Sequence, residues 1–278
     1  MLEKYECVPV PLTGVYFWTI VGYRIMKKLI LTCCIALFLT PPIRSQDEDA
    51  ARKFFDDAVA AMGGSTFLNV TDMVSEGNYF MFNRSGESSP LIKFTDYTKF
   101  PDKSRFRLGD KKHLIELEVF NLETNEGWIQ EGDLEPKAAT PDDMRDFKNA
   151  VKHSLEMIFR SRYKDPNNKL FYLGPGDGRD ITLEKVKLID PENDEITVYF
   201  NRLTKLPAKL EYVRVDQNGV RQHEVREFSQ WHRIQDVNTS LRTDGYTNGR
   251  QSFQIHTVKI KFDNDLPDSL FSKPVPED

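Results

Sequence analysis

The chain has 278 residues, 39% hydrophobic, 12% aromatic and 29% charged, with 15 glycines, 15 prolines, 3 cysteines and a formal charge of −5. That apolar share excludes disordered, collagenous and disulfide-framed chains, and the length suits one large domain or two small ones. The acidic balance excludes a general nucleic-acid binder, whose affinity rests on basic side chains neutralising phosphates.

Residues 1–45 read as an N-terminal extension followed by a cleaved export signal. Met26-Lys27-Lys28 is a short basic start, with Met26 as the expected first residue. Residues 29–39 are an unbroken apolar run, and Pro41-Pro42-Ile43-Arg44-Ser45 ends on a small residue. At about 1.5 Å per residue the run crosses roughly half of a bilayer core. Cys7, Cys33 and Cys34 all lie in this part, so a chain cut after Ser45 keeps no cysteine and carries a net charge of −8. Such an exported chain is held together by its core alone, and it has no thiol nucleophile and no cysteine-ligated metal.

Residues 46–278 read as a single domain. Residues 47–62 form a helix: an acidic first turn, then Ala51, Phe54, Phe55, Ala58, Val59 and Met62 at three- and four-residue spacing, then Gly63-Gly64 as a stop. The period then changes to two over 70–82, 91–100, 104–108, 113–120 and 126–130, which predicts an antiparallel meander. In the fourth of these, Ile115, Leu117 and Val119 share one face while Glu116 and Glu118 share the other, as in a sheet with one wet face.

Residues 141–163 break the pattern. Pro141, Asp142 and Asp143 suit a first turn, and Met144, Phe147, Val151, Leu155 and Ile158 keep helical spacing, so one amphipathic helix interrupts the strands. Strands resume over 169–173, 181–189, 195–201, 208–215, 220–228, 234–242 and 251–262. In the last, Phe253 and Ile255 are in one phase and Val258, Ile260 and Phe262 in the other, which predicts a bulge near His256-Thr257. A sheet of about a dozen strands must curl or close. The expected fold is therefore mainly β with two helices: a curved antiparallel sheet or half-open barrel with the helices over its concave face.

Little in the sequence points to catalysis. The five histidines fall in separate elements without ligand spacing, no G-x-S-x-G is present, and Gly174-Pro175-Gly176-Asp177-Gly178 leads into a strand pattern, as a hairpin does. Glu116 and Glu118 suit a solvated sheet face better than a catalytic pair. No catalytic residue, metal or cofactor is expected. The aromatic residues have two uses in such a fold: they fill the inside as core, or they line a cavity for an apolar ligand.

Several local segments bear on that choice: Tyr97-Thr98-Lys99-Phe100-Pro101-Asp102-Lys103, Asn125-Glu126-Gly127-Trp128, the segment from Phe200 to Pro207, and Leu266-Pro267-Asp268-Ser269-Leu270-Phe271 followed by Pro274. Their order resembles that in the LolA/LolB-type family of periplasmic lipoprotein carriers, in its divergent lipoprotein-sorting branch. The resemblance implies a half-open antiparallel barrel, closed on its concave side by helices, that holds acyl chains without a covalent step. It tips the reading toward a cavity lined by Ile115, Leu117, Val119, Trp128, Ile196, Val198 and Phe200, under Phe147, Val151, Leu155 and Ile158. It also implies a periplasmic monomer whose partners are lipid or lipoprotein acyl chains and envelope membrane proteins. A regulatory or scaffold module of the RseB type is the alternative on the same fold. One residue departs from the pattern: the family's arginine before the strand-ending proline is Phe100 here, which cannot make an arginine's hydrogen bonds.

Overall fold

The computed structural model describes residues 46–275 apart from 111, 181 and 217, so the expected export signal lies outside the described residues. The described residues begin with α1 (Gln46–Met62) and the short α2 (Ser65–Asn69), separated by Gly63 and Gly64 at positive φ. A first meander follows: β1 (Asp72–Met81), β2 (Ile92–Lys99), β3 (Lys103–Gly109), β4 (Leu114–Asn121), β5 (Glu126–Glu131) and β6 (Lys137–Ala138). After α3 (Pro141–Lys152) and α4 (Leu155–Arg160) comes a second: β7 (Lys169–Pro175), β8 (Leu183–Ile189), β9 (Glu195–Asn201), β10 (Pro207–Val215), β11 (Arg221–Ile234), β12 (Val237–Thr247) and β13 (Arg250–Phe262).

Antiparallel pairing of β1 with β13 joins the two meanders into one sheet of order β6-β5-β4-β3-β2-β1-β13-β12-β11-β10-β9-β8-β7. The sheet is unclosed, with β6 and β7 as its two ends. Connectivity then decides where the middle helices go: residues 139–168 must travel from one edge strand to the other, and they do so across the inner face. Ile158, Phe159 and Tyr163 pack there with Phe55 of α1 and with Leu188, Ile196, Val198, Phe200 and Leu210 of the second meander. Phe55 is the hub, stacked on Tyr163 at 5.1 Å and meeting Phe200 edge-on at 5.2 Å.

Among the described residues four α-helices stand where two were expected. The single helix expected over 141–163 breaks at His153-Ser154, because the Ser154 hydroxyl accepts from the Met157 amide and so starts a new helix. α3 has its own start, a reciprocal capping box between Thr140 and Asp143 with Pro141 in the first turn. The two segments are therefore separately capped units with a corner between them.

The opposite, outer face of the first meander is covered by the C-terminal segment. Leu266 and Phe271 pack on Leu117 and Val119, while the Asp72 carboxylate accepts from the amides of Asn264 and Leu266. Lys99 and Lys103 both reach Asp268, at 2.8 and 3.2 Å.

The bulge in β13 is present. Glu76 pairs with Lys259 and Gly77 with Thr257, so Val258 is the extra residue, 73% exposed. The inward-facing series passes across it from Phe253, Ile255 and Thr257 to Ile260 and Phe262. Gly77 is required beside it, since a Cβ there would lie 2.1 Å from the His256 carbonyl oxygen.

A candidate ligand cavity under the helical corner

The inner face of β7–β10 is filled by α1 and α4, but the inner face of β1–β3 and β11–β13 is not. A cavity of about 310 Å³ lies there beneath the α3–α4 corner. Its walls are Met73 and Ser75 of β1, Phe94 and Asp96 of β2, Phe106 of β3, Phe228 and Trp231 of β11, Thr243 of β12, and Phe253, Ile255, Ile260 and Phe262 of β13. Met62 and Phe67 close one side, and His153, Leu155, Glu156 and Arg160 form the roof. A recess of about 230 Å³ shares Met73, Asp96, Phe100, Ser154 and Glu156 with it and reaches Phe147 and Val151. A wider opening of about 540 Å³ shares His153, Arg226 and Phe253.

The helix over the recess and the wider opening, α3, is loosely seated. Met144, Phe147 and Val151 make an apolar stripe on α3, yet none of its side chains is fully buried. Near its start, Phe147 stacks on Phe120 at 4.5 Å, and the absence of a side chain at Gly127 admits Met144.

An ionic cluster holds its far end. Lys152 pairs with Asp190 at 2.7 Å, Glu192 at 3.2 Å and Asp194 at 3.3 Å, and buried Arg162 pairs with Asp190 and Asp194 at 3.0 Å each. Burial alone would raise Asp194, but its hydrogen bond to His153 and the charges of His153, Lys152 and Arg162 outweigh that and hold it well below the usual carboxylate range.

Polar groups in the cavity are unevenly matched. Ser75, Asp96, Phe106 and Glu118 form one row across β1 to β4 in register, so two carboxyls flank the Phe106 ring on the inner face. Burial raises Asp96 to about 7, with Glu156 adding to the shift against hydrogen bonds from Thr98 and Ser104. Burial likewise raises Glu118 to about 7, helped by Glu116 and Asp143. Arg160 donates from Nη1 to the Val70 carbonyl at 2.6 Å and lies over the rings of Phe100 and Phe67 at 4.1 and 5.0 Å. Phe100 therefore stands in contact with a guanidinium supplied by α4.

The residues expected to line the hollow separate into three groups. Leu155 lines the main cavity, and Phe147 and Val151 line its recess. Ile158, Ile196, Val198 and Phe200 are packed solid in the main core. Leu117, Val119 and Trp128 lie on the outer face under the C-terminal segment, and Ile115 is 49% exposed. The expectation for β4 thus had the faces interchanged: Glu116 and Glu118 point inward with Phe120. Of the wall residues, Phe94, Phe106, Phe253 and Ile255 sit in runs read as strands but were not expected to line a cavity, and Trp231 falls between two expected strands, 220–228 and 234–242.

No protein-family profile matches the chain, and no curated relative does. Solved structures do. A DUF1329 family protein from Desulfovibrio piger superposes with a TM-score of 0.56 at 14% identity, over 80% of this chain and 97% of that one. A LolA superfamily protein from Nitrosomonas europaea gives 0.51 at 11% identity, over 80% and 97%. A putative outer membrane lipoprotein-sorting protein domain from Vibrio parahaemolyticus gives 0.50 at 13% identity, over 81% and 97%. With an unclosed, curved antiparallel sheet and helices across its inner face, the chain has the LolA-like fold.

Proposed function

We propose that the protein is a non-enzymatic carrier that holds an acyl chain of a lipid or lipoprotein in this cavity. One observation carries the reading: an aromatic-walled cavity lies unfilled beneath the α3–α4 corner, and α3, which lines the adjoining recess, buries none of its own side chains. Natural cores leave few voids larger than a water molecule, so an apolar space of this size is a departure from ordinary packing. Its volume falls at the lower end of the roughly 300–1,000 Å³ of small-molecule sites. Burial at about 0.8 kcal/mol per methylene gives roughly 6 kcal/mol for eight of them, enough for reversible retention without a bond. Likeness to a lipoprotein-sorting domain and the address-like first 45 residues support a periplasmic setting, with envelope proteins as partners.

Native mass spectrometry of the gently purified protein, with uptake of a fluorescent fatty acid by the delipidated protein, tests the reading. Bound acyl species of defined mass and saturable uptake are expected. Absence of both would overturn it.

A further inference from the structure

The cavity wall carries a cation that touches no carboxylate, although Glu156 and Asp263 act on it from a distance. Arg160 lines the apolar space, and among the described residues it makes no ion pair. Only one of its donors is accounted for: Nη1 on the Val70 carbonyl, at 2.6 Å. Its Nε is buried without a hydrogen-bond partner. Phe67 and Phe100 pack on the guanidinium, so water is excluded from two sides. Glu156 lies one helical turn earlier and also borders the cavity, yet it makes no ion pair with Arg160.

A buried charge left unpaired is costly, and a guanidinium with free donors on one edge is shaped to bind a carboxylate or phosphate by two parallel hydrogen bonds. We infer that the cavity selects amphiphiles with an acidic head group, a carboxylate or a phosphate monoester, which Arg160 engages while the chain lies among Phe94, Phe106 and Ile255. Resting on the carrier reading above, the inference adds what that reading leaves open, the polarity of the cargo's head. Asp96, whose burial raises it well above an ordinary carboxyl, sets less negative charge against an anion in the cavity than an ordinary carboxylate would. Phe228 and Trp231 add apolar wall, and the other arginine bordering the cavity, Arg226, lies over the Tyr212 ring at 5.7 Å.

The test uses four amphiphiles of one chain length, dodecanoate, dodecyl phosphate, dodecanol and dodecyltrimethylammonium, titrated below their micelle concentrations into the delipidated protein by calorimetry at pH 6.5. Dodecanoate, dodecyl phosphate or both are expected to bind at least tenfold more tightly than dodecanol, and their order identifies which acid is preferred. The acid-to-alcohol affinity ratio, measured within each variant, is expected to fall to about one in R160Q and to remain well above one in R160K. Equal binding of acid and alcohol by the unmodified protein, preference for the ammonium, or an unchanged ratio in R160Q would overturn the inference while leaving the carrier reading intact. Should R160Q fail to fold, the four-ligand series on the unmodified protein decides alone. No binding of any of the four would overturn both.

Discussion

His153 and Tyr212 lie face to face, their ring centroids 4.1 Å apart and their planes 4° from parallel, at the point where α3 ends. The imidazole is buried, with Nδ1 at 2.8 Å from the Asn149 carbonyl oxygen and Nε2 at 3.1 Å from the Asp194 carboxylate. Both neighbours are hydrogen-bond acceptors. H153F keeps an aromatic ring over Tyr212 and loses both bonds. It is expected to cost about 2 kcal/mol, as for a hydrogen bond to a charged group, whereas H153A should cost more because the stacking goes too. Urea unfolding of the two variants side by side separates the contributions.

The two raised inner-face carboxyls give stability a definite pH dependence. Asp96 and Glu118 start from ordinary values of 3.8 and 4.5 and lie at about 7 in the folded protein. Between those limits the folded state keeps protons that the unfolded chain has lost, so this contribution is full below pH 4 and falls as pH rises through 7. The urea midpoint should therefore decline from pH 5 to pH 8, and D96N with E118Q should flatten that decline. Asp190 and Asp194, held low by their cationic partners, act in the opposite sense: their contribution is present at neutral pH and is lost on strong acidification.

Filling the cavity should block uptake. Thr243 on β12 pairs with Ile255 on β13 and faces the space, so T243F places a ring where a chain would lie. Overpacking typically costs about 1–3 kcal/mol, and the variant should stay folded. A drop of at least tenfold in fluorescent fatty-acid binding is expected; retained binding would mean that the cargo lies elsewhere.

Gly127 tests how α3 is seated. A Cβ at that position would stand 2.7 Å from the Phe120 ring and 2.8 Å from both the Met144 sulfur and Ala139. G127A should push Met144 and the start of α3 outward at about 1–3 kcal/mol. Hydrogen exchange of the α3 amides should quicken while the amides of β8–β10 stay protected.

Much of the fold was legible because its strands have one dry side and short turns. The Asn248-Gly249 hairpin takes positive φ at both central residues, 51° and 77°, as that dipeptide predicts. Gln235 and Asp236 make the same kind of turn without glycine, so the end of β11 at Ile234 was invisible and the strand was expected to stop at 228. The orientation of β4 was hidden for a different reason. Alternation shows which residues share a face, but not which face meets the helices, and here Leu266 and Phe271 supply the apolar outer side with a partner from the far end of the chain. The helix break at Ser154 was similarly silent, since the apolar spacing continues through it.

A closed barrel has its girth fixed by strand number and stagger, and changing it means breaking a ladder of backbone hydrogen bonds. Here β6 and β7 end the sheet without meeting, and what lies across the inner face is held by packing and by a handful of ion pairs. Side-chain contacts yield by degrees where a ladder yields all at once. Small shifts of α3 would therefore widen or narrow the bore with every strand pairing intact, and on the carrier reading one fixed scaffold would accommodate chains of different calibre.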